Sequence, residues 1–195
     1  MFSVGLPAAG EPMTRFEELL QKNQEDILRG WLEAAMSSYP KETAAAFSRQ
    51  TDRFANPVGH SLREGTRRIL QALLTDAARD EIRRHLTEIV RIRSVQAFSA
   101  SEAIGFIFEL KAIVRTVLGS EADQPQFATE LAQLDARIDH VALAAVDMFV
   151  ECRERVFALR ASEVERRFSW LAGKVRGRSE SGASQDPDTQ SELIR

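Results

Sequence analysis

Apolar residues recur at three- and four-residue spacings along nearly the whole 195-residue chain, a period that predicts helices throughout. Thr14-Arg15-Phe16-Glu17 is a capping box, Thr at the N-cap and Glu three positions on, and it predicts a helix start. Phe16, Leu19, Leu20, Ile27, Leu28, Trp31, Leu32 and Ala35 then follow one helical face through about Tyr39. Gly30 costs that helix about 1 kcal/mol relative to Ala and marks a close approach by a neighbour. Pro40 opens a shorter helix to about Arg53, with Ala44, Phe47 and Gln50 along one side. Phe54-Ala55-Asn56-Pro57-Val58-Gly59 is the clearest break, because a residue before proline is driven out of the helical region.

A helix resumes between Val58 and Ser61 and runs to Leu74, and Asp76 is placed to cap the next one. That next helix carries Ile82, Leu86, Ile89 and Val90 on one face. Alternation in Val90-Arg91-Ile92-Arg93-Ser94-Val95 would suit a strand, but no second strand candidate exists to pair with it. Ser99-Ala100-Ser101-Glu102 is a second capping box, and Gly119 is placed as a left-handed C-terminal cap. Between them, Ile104, Phe106, Ile107, Phe108, Leu110, Ile113, Val114, Val117 and Leu118 cover well over half a helix circumference, which predicts the central, buried helix. Gly105 and Ala112, seven apart, would let another helix come close.

From Gln126 to Ala172 the chain runs 47 residues without Gly or Pro, which predicts one continuous helix about 70 Å long. A domain of about a hundred residues has a radius of gyration of only about 13 Å, so this helix is expected to project beyond it. Asp123 would cap it, with Pro125 tolerated in the first turn. Leu131, Leu134, Ile138, Val141, Ala145, Met148 and Cys152 step 3-4-3-4-3-4, a heptad pattern. The register breaks at Val156, like a stutter. A second apolar series follows at Val156, Leu159, Val164, Phe168, Leu171 and Val175. Glu151 with Arg155, and Glu163 with Arg167, stand at i,i+4 in the favourable order.

The totals narrow the class. Apolar residues make up 44% and charged residues 28%, enough for a core and a solvated surface. A net charge of -3 gives no overall drive toward nucleic acid or anionic lipid. One cysteine, Cys152, excludes an internal disulfide and suits a reducing compartment. No apolar run approaches the ~20 residues that span a bilayer, and the first dozen residues carry no secretory pattern, so a cytoplasmic location is expected. Lys and Arg total 26, of which 22 are arginine, and codon bias accounts for that more readily than phosphate or RNA recognition. Phe157, Phe168 and Trp170 lie among arginines, but an apolar helix face already explains most of them.

Candidate chemistry is sparse. His60, His85 and His140 form no HxxxH or HExxH pattern. Glu64 lies one turn from His60, and Glu81 and Glu88 lie one turn from His85. His85 shares the face of Ile82, Leu86 and Ile89, where a histidine is a haem axial ligand or, more commonly, a partly buried core residue. His140 falls on the outer side of the heptad stripe. Cys152 reads as a small buried residue of that stripe rather than a redox-sensing thiol. Eight arginines against five acidic residues between Arg63 and Arg93 would form a basic face for a partner or a phosphate, or an ordinary solvated surface. No GxGxxG, P-loop, GxSxG or triad is present, so nothing points to an enzyme, a cofactor or a metal.

Trp31, Tyr39-Pro40, Phe54-Ala55-Asn56-Pro57, the stretch from Leu86 to Ala103 (LTEIVRIRSVQAFSASEA) and Phe108-Glu109-Leu110-Lys111 follow a familiar order. From Phe16 to Phe157 the chain resembles the N-terminal domain of RsbRD-type stressosome co-antagonists. The resemblance implies an all-helical sensory or regulatory module, globin-like without haem in some relatives, that pairs as a dimer. Such modules often precede an effector such as a STAS domain or a histidine kinase. Here some 20 residues follow the helix, so a stand-alone regulator or adaptor is expected. The family supplies no catalytic residues.

The expected architecture is therefore an all-α bundle, globin-like or plain, with a long C-terminal helix. Residues 1–13 form a flexible leader, 14–157 the helical regulatory domain, 158–176 the projecting helix end and 177–195 a disordered tail. The leading function is a non-enzymatic signalling domain that dimerises or docks a signalling protein through Val156, Leu159, Val164, Phe168 and Leu171. The alternative is a sensor that encloses haem or an apolar ligand among Trp31, Phe47, Phe106, Ile107 and Leu110, with His85 as the haem candidate. A nucleic-acid adaptor ranks third.

Overall fold

The computed structural model describes residues 13–49, 52, 54–75 and 79–182. Among these are eight α-helices and two 3₁₀ turns, with no strand, so the alternating stretch from Val90 is helical through Ser94, and Val95 begins the turn that follows. The helices are α1 (Arg15–Lys22), α2 (Gln24–Met36), α3 (Lys41–Arg49), α4 (Pro57–Leu74), α5 (Arg79–Ser94), α6 (Ala100–Ile104), α7 (Phe106–Leu118) and α8 (Ala128–Gly182). The chain divides into two compact units, Met1–Arg153 and Glu154–Arg195.

In the first unit both capping boxes form: Thr14 and Ser99 accept from the N3 amides while Glu17 and Glu102 reach back to the cap amides. Asn56 caps α4 by accepting from the Gly59 amide at 2.8 Å, and Pro57 takes the first helical position. Two helices expected to be continuous are each divided. Asn23 interrupts the first, its side-chain amide donating to the Leu19 carbonyl at 2.8 Å and competing with the regular ladder. At Gly105 the second bends so tightly that a Cβ there would stand 2.6 Å from the Ser101 carbonyl oxygen. That glycine therefore serves its own chain's turn and not, as expected, the approach of another helix.

Gly30 and Gly65 are the positions where helices do approach. A Cβ on Gly30 (α2) would lie 3.1 Å from Ile113 Cγ2 on α7, and one on Gly65 (α4) 2.6 Å from Ile89 Cδ1 on α5. The core joins Phe16, Leu20, Ile27, Trp31, Leu62, Ile69, Leu86, Ile89, Ile107, Leu110 and Val114 to Leu131, Leu134, Ile138, Val141, Ala145 and Met148 of α8. The heptad stripe of α8 thus faces the bundle up to Met148, while Cys152 is half-buried. On α7 the buried face is narrower than the apolar pattern implied, since Phe108 is exposed and Ile113 and Val117 are half-buried. Lys111–Asp139 (2.6 Å) and the forked Arg115–Asp135 pair tie α7 to α8.

Other departures lie at the ends of elements. Gly119 does take a positive φ of 55°, but its ψ of -132° is outside the left-handed helical region. A 3₁₀ turn, Pro125–Phe127, flanked by Gln124, leads into α8, so Asp123 is not its cap. Glu151 stands 3.9 Å from Arg83 instead of joining Arg155, whereas Glu163–Arg167 forms at 2.6 Å as the spacing implied. The helix runs to Gly182, so 177–182 are helical where a disordered tail was expected. The expected Asp76 cap, the Gln50 position, the leader up to residue 12 and the tail beyond 182 lie outside the described residues.

Gly65→Ala gains about 1 kcal/mol of helix propensity but drives a methyl into fully buried Ile89, and overpacking of that kind costs about 1–3 kcal/mol. Urea unfolding should show Gly65→Ala destabilised and Gly30→Ala near neutral, because its neighbour is half-buried and a few tenths of an ångström suffices. The reverse order would contradict the packing described.

Candidate functional site

The most unusual side chain of the first unit is Arg93, 0% exposed in the last turn of α5. Its Nη1 donates to the Ala35 carbonyl at 2.9 Å, and its Nη2 to Ser38 Oγ at 2.7 Å and the Glu102 carbonyl at 3.0 Å. The rings of Tyr39, Phe98 and Phe106 surround the guanidinium at 5.0–5.3 Å. Among the described residues no carboxylate lies within ion-pair distance, and Nε has no hydrogen-bond partner. The compensating negative potential comes from the carbonyl ends of α2 and α6 and from the ring faces. Burial lowers the Arg93 pKa and outweighs the raising influence of Tyr39.

Tyr39 donates to Gln96 Oε1 at 3.0 Å, and its ring meets Phe47 and Phe98 edge-on. Burial raises its phenol pKa, against the lowering influence of Arg93 and Gln96. Counted by charge, Arg93 belongs to the basic or solvated surface expected between Arg63 and Arg93, but it is buried. The signal for burial was present, since Ile82, Leu86, Ile89 and residue 93 step 4-3-4 along one side of a helix.

The expected ligand-pocket residues share the core that surrounds this arginine. The Trp31 indole donates to the Phe106 carbonyl at 2.8 Å, and the two rings stack at 6.0 Å. Ile107 and Leu110 are buried with them, while Phe47 packs half-buried against Tyr39. His85 lies elsewhere, in a shallow groove of about 170 Å³ between α4 and α5 with His60, Ser61, Glu64, Gly65, Arg68 and Glu88. There His85 Nε2 is 3.9 Å from Glu81, and Glu64, bonded to Arg68 at 2.7 Å, is held below its usual carboxyl pKa chiefly by that bond. No group of three or more His, Cys, Asp or Glu among the described residues is arranged to hold a metal. His140 is exposed, its Nδ1 2.7 Å from the Ala136 carbonyl.

In the second unit the helix displays large apolar side chains to solvent. Phe157, Leu159, Val164, Phe168, Trp170 and Leu171 are 50–69% exposed, and Val156 is half-buried. At about 3.6 residues per turn they divide between two sides. Phe157, Ala161, Val164, Phe168 and Leu171 step 4-3-4-3 and form one stripe. Leu159, nine positions before Phe168, lies about two and a half turns away and so on the opposite side, with Trp170. Val156 lies about a quarter turn off the stripe. Only Val164, Phe168 and Leu171 of the expected interface set thus share one line.

Residues 25–164 match the RsbT co-antagonist protein rsbRD N-terminal domain family. The chain belongs to that family. No curated protein and no solved structure matches it. As an RsbRD N-terminal domain it is a stressosome-related regulatory signalling domain. The matched span takes in the Arg93 box, the α4–α5 groove and the first part of the exposed stripe. No helix among the described residues is long and apolar enough to cross a membrane.

Tyr39 is the sole tyrosine, so phenolate absorbance reports it alone. Its alkaline titration in this RsbRD domain should have a midpoint above the ordinary value of 10.0 when folded and revert to it in urea. The neutral phenol is the form the fold favours, so this contribution to stability is complete below pH 10 and is lost as pH rises through the folded pKa. A native midpoint at or below 10 would contradict the enclosure. Arg93→Ala removes the donors from one buried and two part-buried acceptors and opens a cavity, and should cost about 3 kcal/mol in urea unfolding. A loss under about 1 kcal/mol would mean the box contributes little.

Proposed function

We propose that this domain is non-enzymatic and cytoplasmic, and that it signals by pairing with a second copy of itself through the exposed stripe of its second unit. The observation that supports this is the regular spacing of Phe157, Ala161, Val164, Phe168 and Leu171, because scattered surface hydrophobics are ordinary but a heptad line of them is not. Family membership supports action through protein partners. The proposal needs no catalytic residue, metal or cofactor, and assigns Trp31, Phe106, Ile107 and Leu110 to the core instead of a ligand.

Magnitudes decide the choice of variant. Burying a Val or Phe side chain contributes about 1.5–3 kcal/mol. In a symmetric pair, Val164→Glu with Phe168→Glu removes four such side chains, about 6–12 kcal/mol, against about 8 kcal/mol for a micromolar dimer. Light scattering of the wild-type chain at micromolar concentration should give a dimer mass, and the double variant a monomer with unchanged urea stability. An unchanged mass in the variant, or a wild type that stays monomeric, would sink the proposal.

A further inference from the structure

We infer that the two copies pair in parallel and in register, with Phe157, Val164 and Leu171 at d positions, Ala161 and Phe168 at a positions, and Arg160 of each copy meeting Glu165 of the other. This rests on the dimer reading above and specifies its partner surface.

Phase and charge along the helix select one pairing. With Phe157, Val164 and Leu171 at d, the g positions are Arg160 and Arg167, and the e positions are Ala158 and Glu165. In a parallel two-stranded coiled coil a g residue meets the e residue of the following heptad on the other chain, five positions on. Arg160 therefore meets Glu165, and two-fold symmetry makes the pair twice. Arg167 already bonds Glu163 of its own helix at 2.6 Å. In an antiparallel pair g meets g, which sets arginine against arginine. The stripe is thus complementary to itself in one orientation. Leu159 and Trp170, on the opposite side, stay outside the seam.

Phe157, Val164, Phe168 and Leu171 are each at least half exposed, so pairing removes them from water without disturbing the first unit's core. A different partner would have to match both the 4-3-4-3 apolar line and the Arg–Glu pattern, which this helix already matches by itself.

The test uses the 195-residue chain carrying Cys152→Ser, because Cys152 is its sole cysteine and lies on the same helix. Val164→Cys and Leu159→Cys are introduced separately and oxidised with copper–phenanthroline, and disulfide-linked dimer is followed on non-reducing gels. Parallel, in-register pairing brings the two residue-164 positions together and holds the residue-159 positions on outer faces. Val164→Cys should therefore cross-link at least about tenfold faster. Equal rates, or faster linking through Leu159→Cys, would overturn the seam while a dimer mass by light scattering kept the dimer reading intact. Monomer mass and no cross-link in either would fail both.

Orientation is read separately. Arg160→Glu and Glu165→Arg should each weaken dimerisation about three- to tenfold, and the double exchange should restore it. Tighter association of Arg160→Glu alone would mark an antiparallel pair and overturn the proposal.

Discussion

The first unit is organised around a buried cation that meets no carboxylate among the described residues. Removing a guanidinium from water costs several kcal/mol even after relaxation. Arg93 recovers that cost through the Ala35 and Glu102 carbonyls, the Ser38 hydroxyl and three aromatic rings. These partners come from α2 and the turn after it, from the loop between α5 and α6, and from α6 and α7. One side chain thereby fixes where four helices meet. The stacked Trp31 and Phe106, joined by the indole hydrogen bond, continue the same junction into the apolar core. A shift of any of these elements would leave the guanidinium short of acceptors at a depth where water does not replace them.

Much of this was legible in the residues, because the signals were local. Both capping boxes formed where Thr14–Glu17 and Ser99–Glu102 placed them, the break at Asn56-Pro57 led into a helix that starts at Pro57, slightly before the expected Val58 to Ser61, and the heptad stripe of α8 packed inward through Met148. Where the sequence misled, the competing interaction was short-range or depended on a neighbour. Asn23 divides an apolar face that reads as continuous, by a side-chain bond to Leu19 that periodicity does not register. Gly105 serves a turn within its own chain, which glycine spacing alone cannot separate from an interhelical contact. Arg93 counts toward a basic surface by charge, but its place on the Ile82–Ile89 face is what buries it.

The second unit teaches a different lesson about phase. Apolar residues at positions 156 to 171 read as one series when gaps of three, four and five are accepted together. On a helix those gaps do not keep to one side, and Leu159 and Phe168 end on opposite faces. Requiring strict 4-3-4-3 steps isolates Phe157, Ala161, Val164, Phe168 and Leu171, and also fixes which charges flank them. The proposed direction and register of pairing both follow from that phase and from those charges.

The box around Arg93 also constrains how the chain can drift. Two of its three acceptors are main-chain carbonyls, which every residue type carries. Ala35 and Glu102 can therefore be exchanged for other helix-compatible residues without removing the acceptors themselves. No other side chain offers a flat, permanently charged fork of donors. The main-chain acceptors thus survive a change of residue where the donor does not, an asymmetry that puts the box's demand for one side-chain type at position 93 alone.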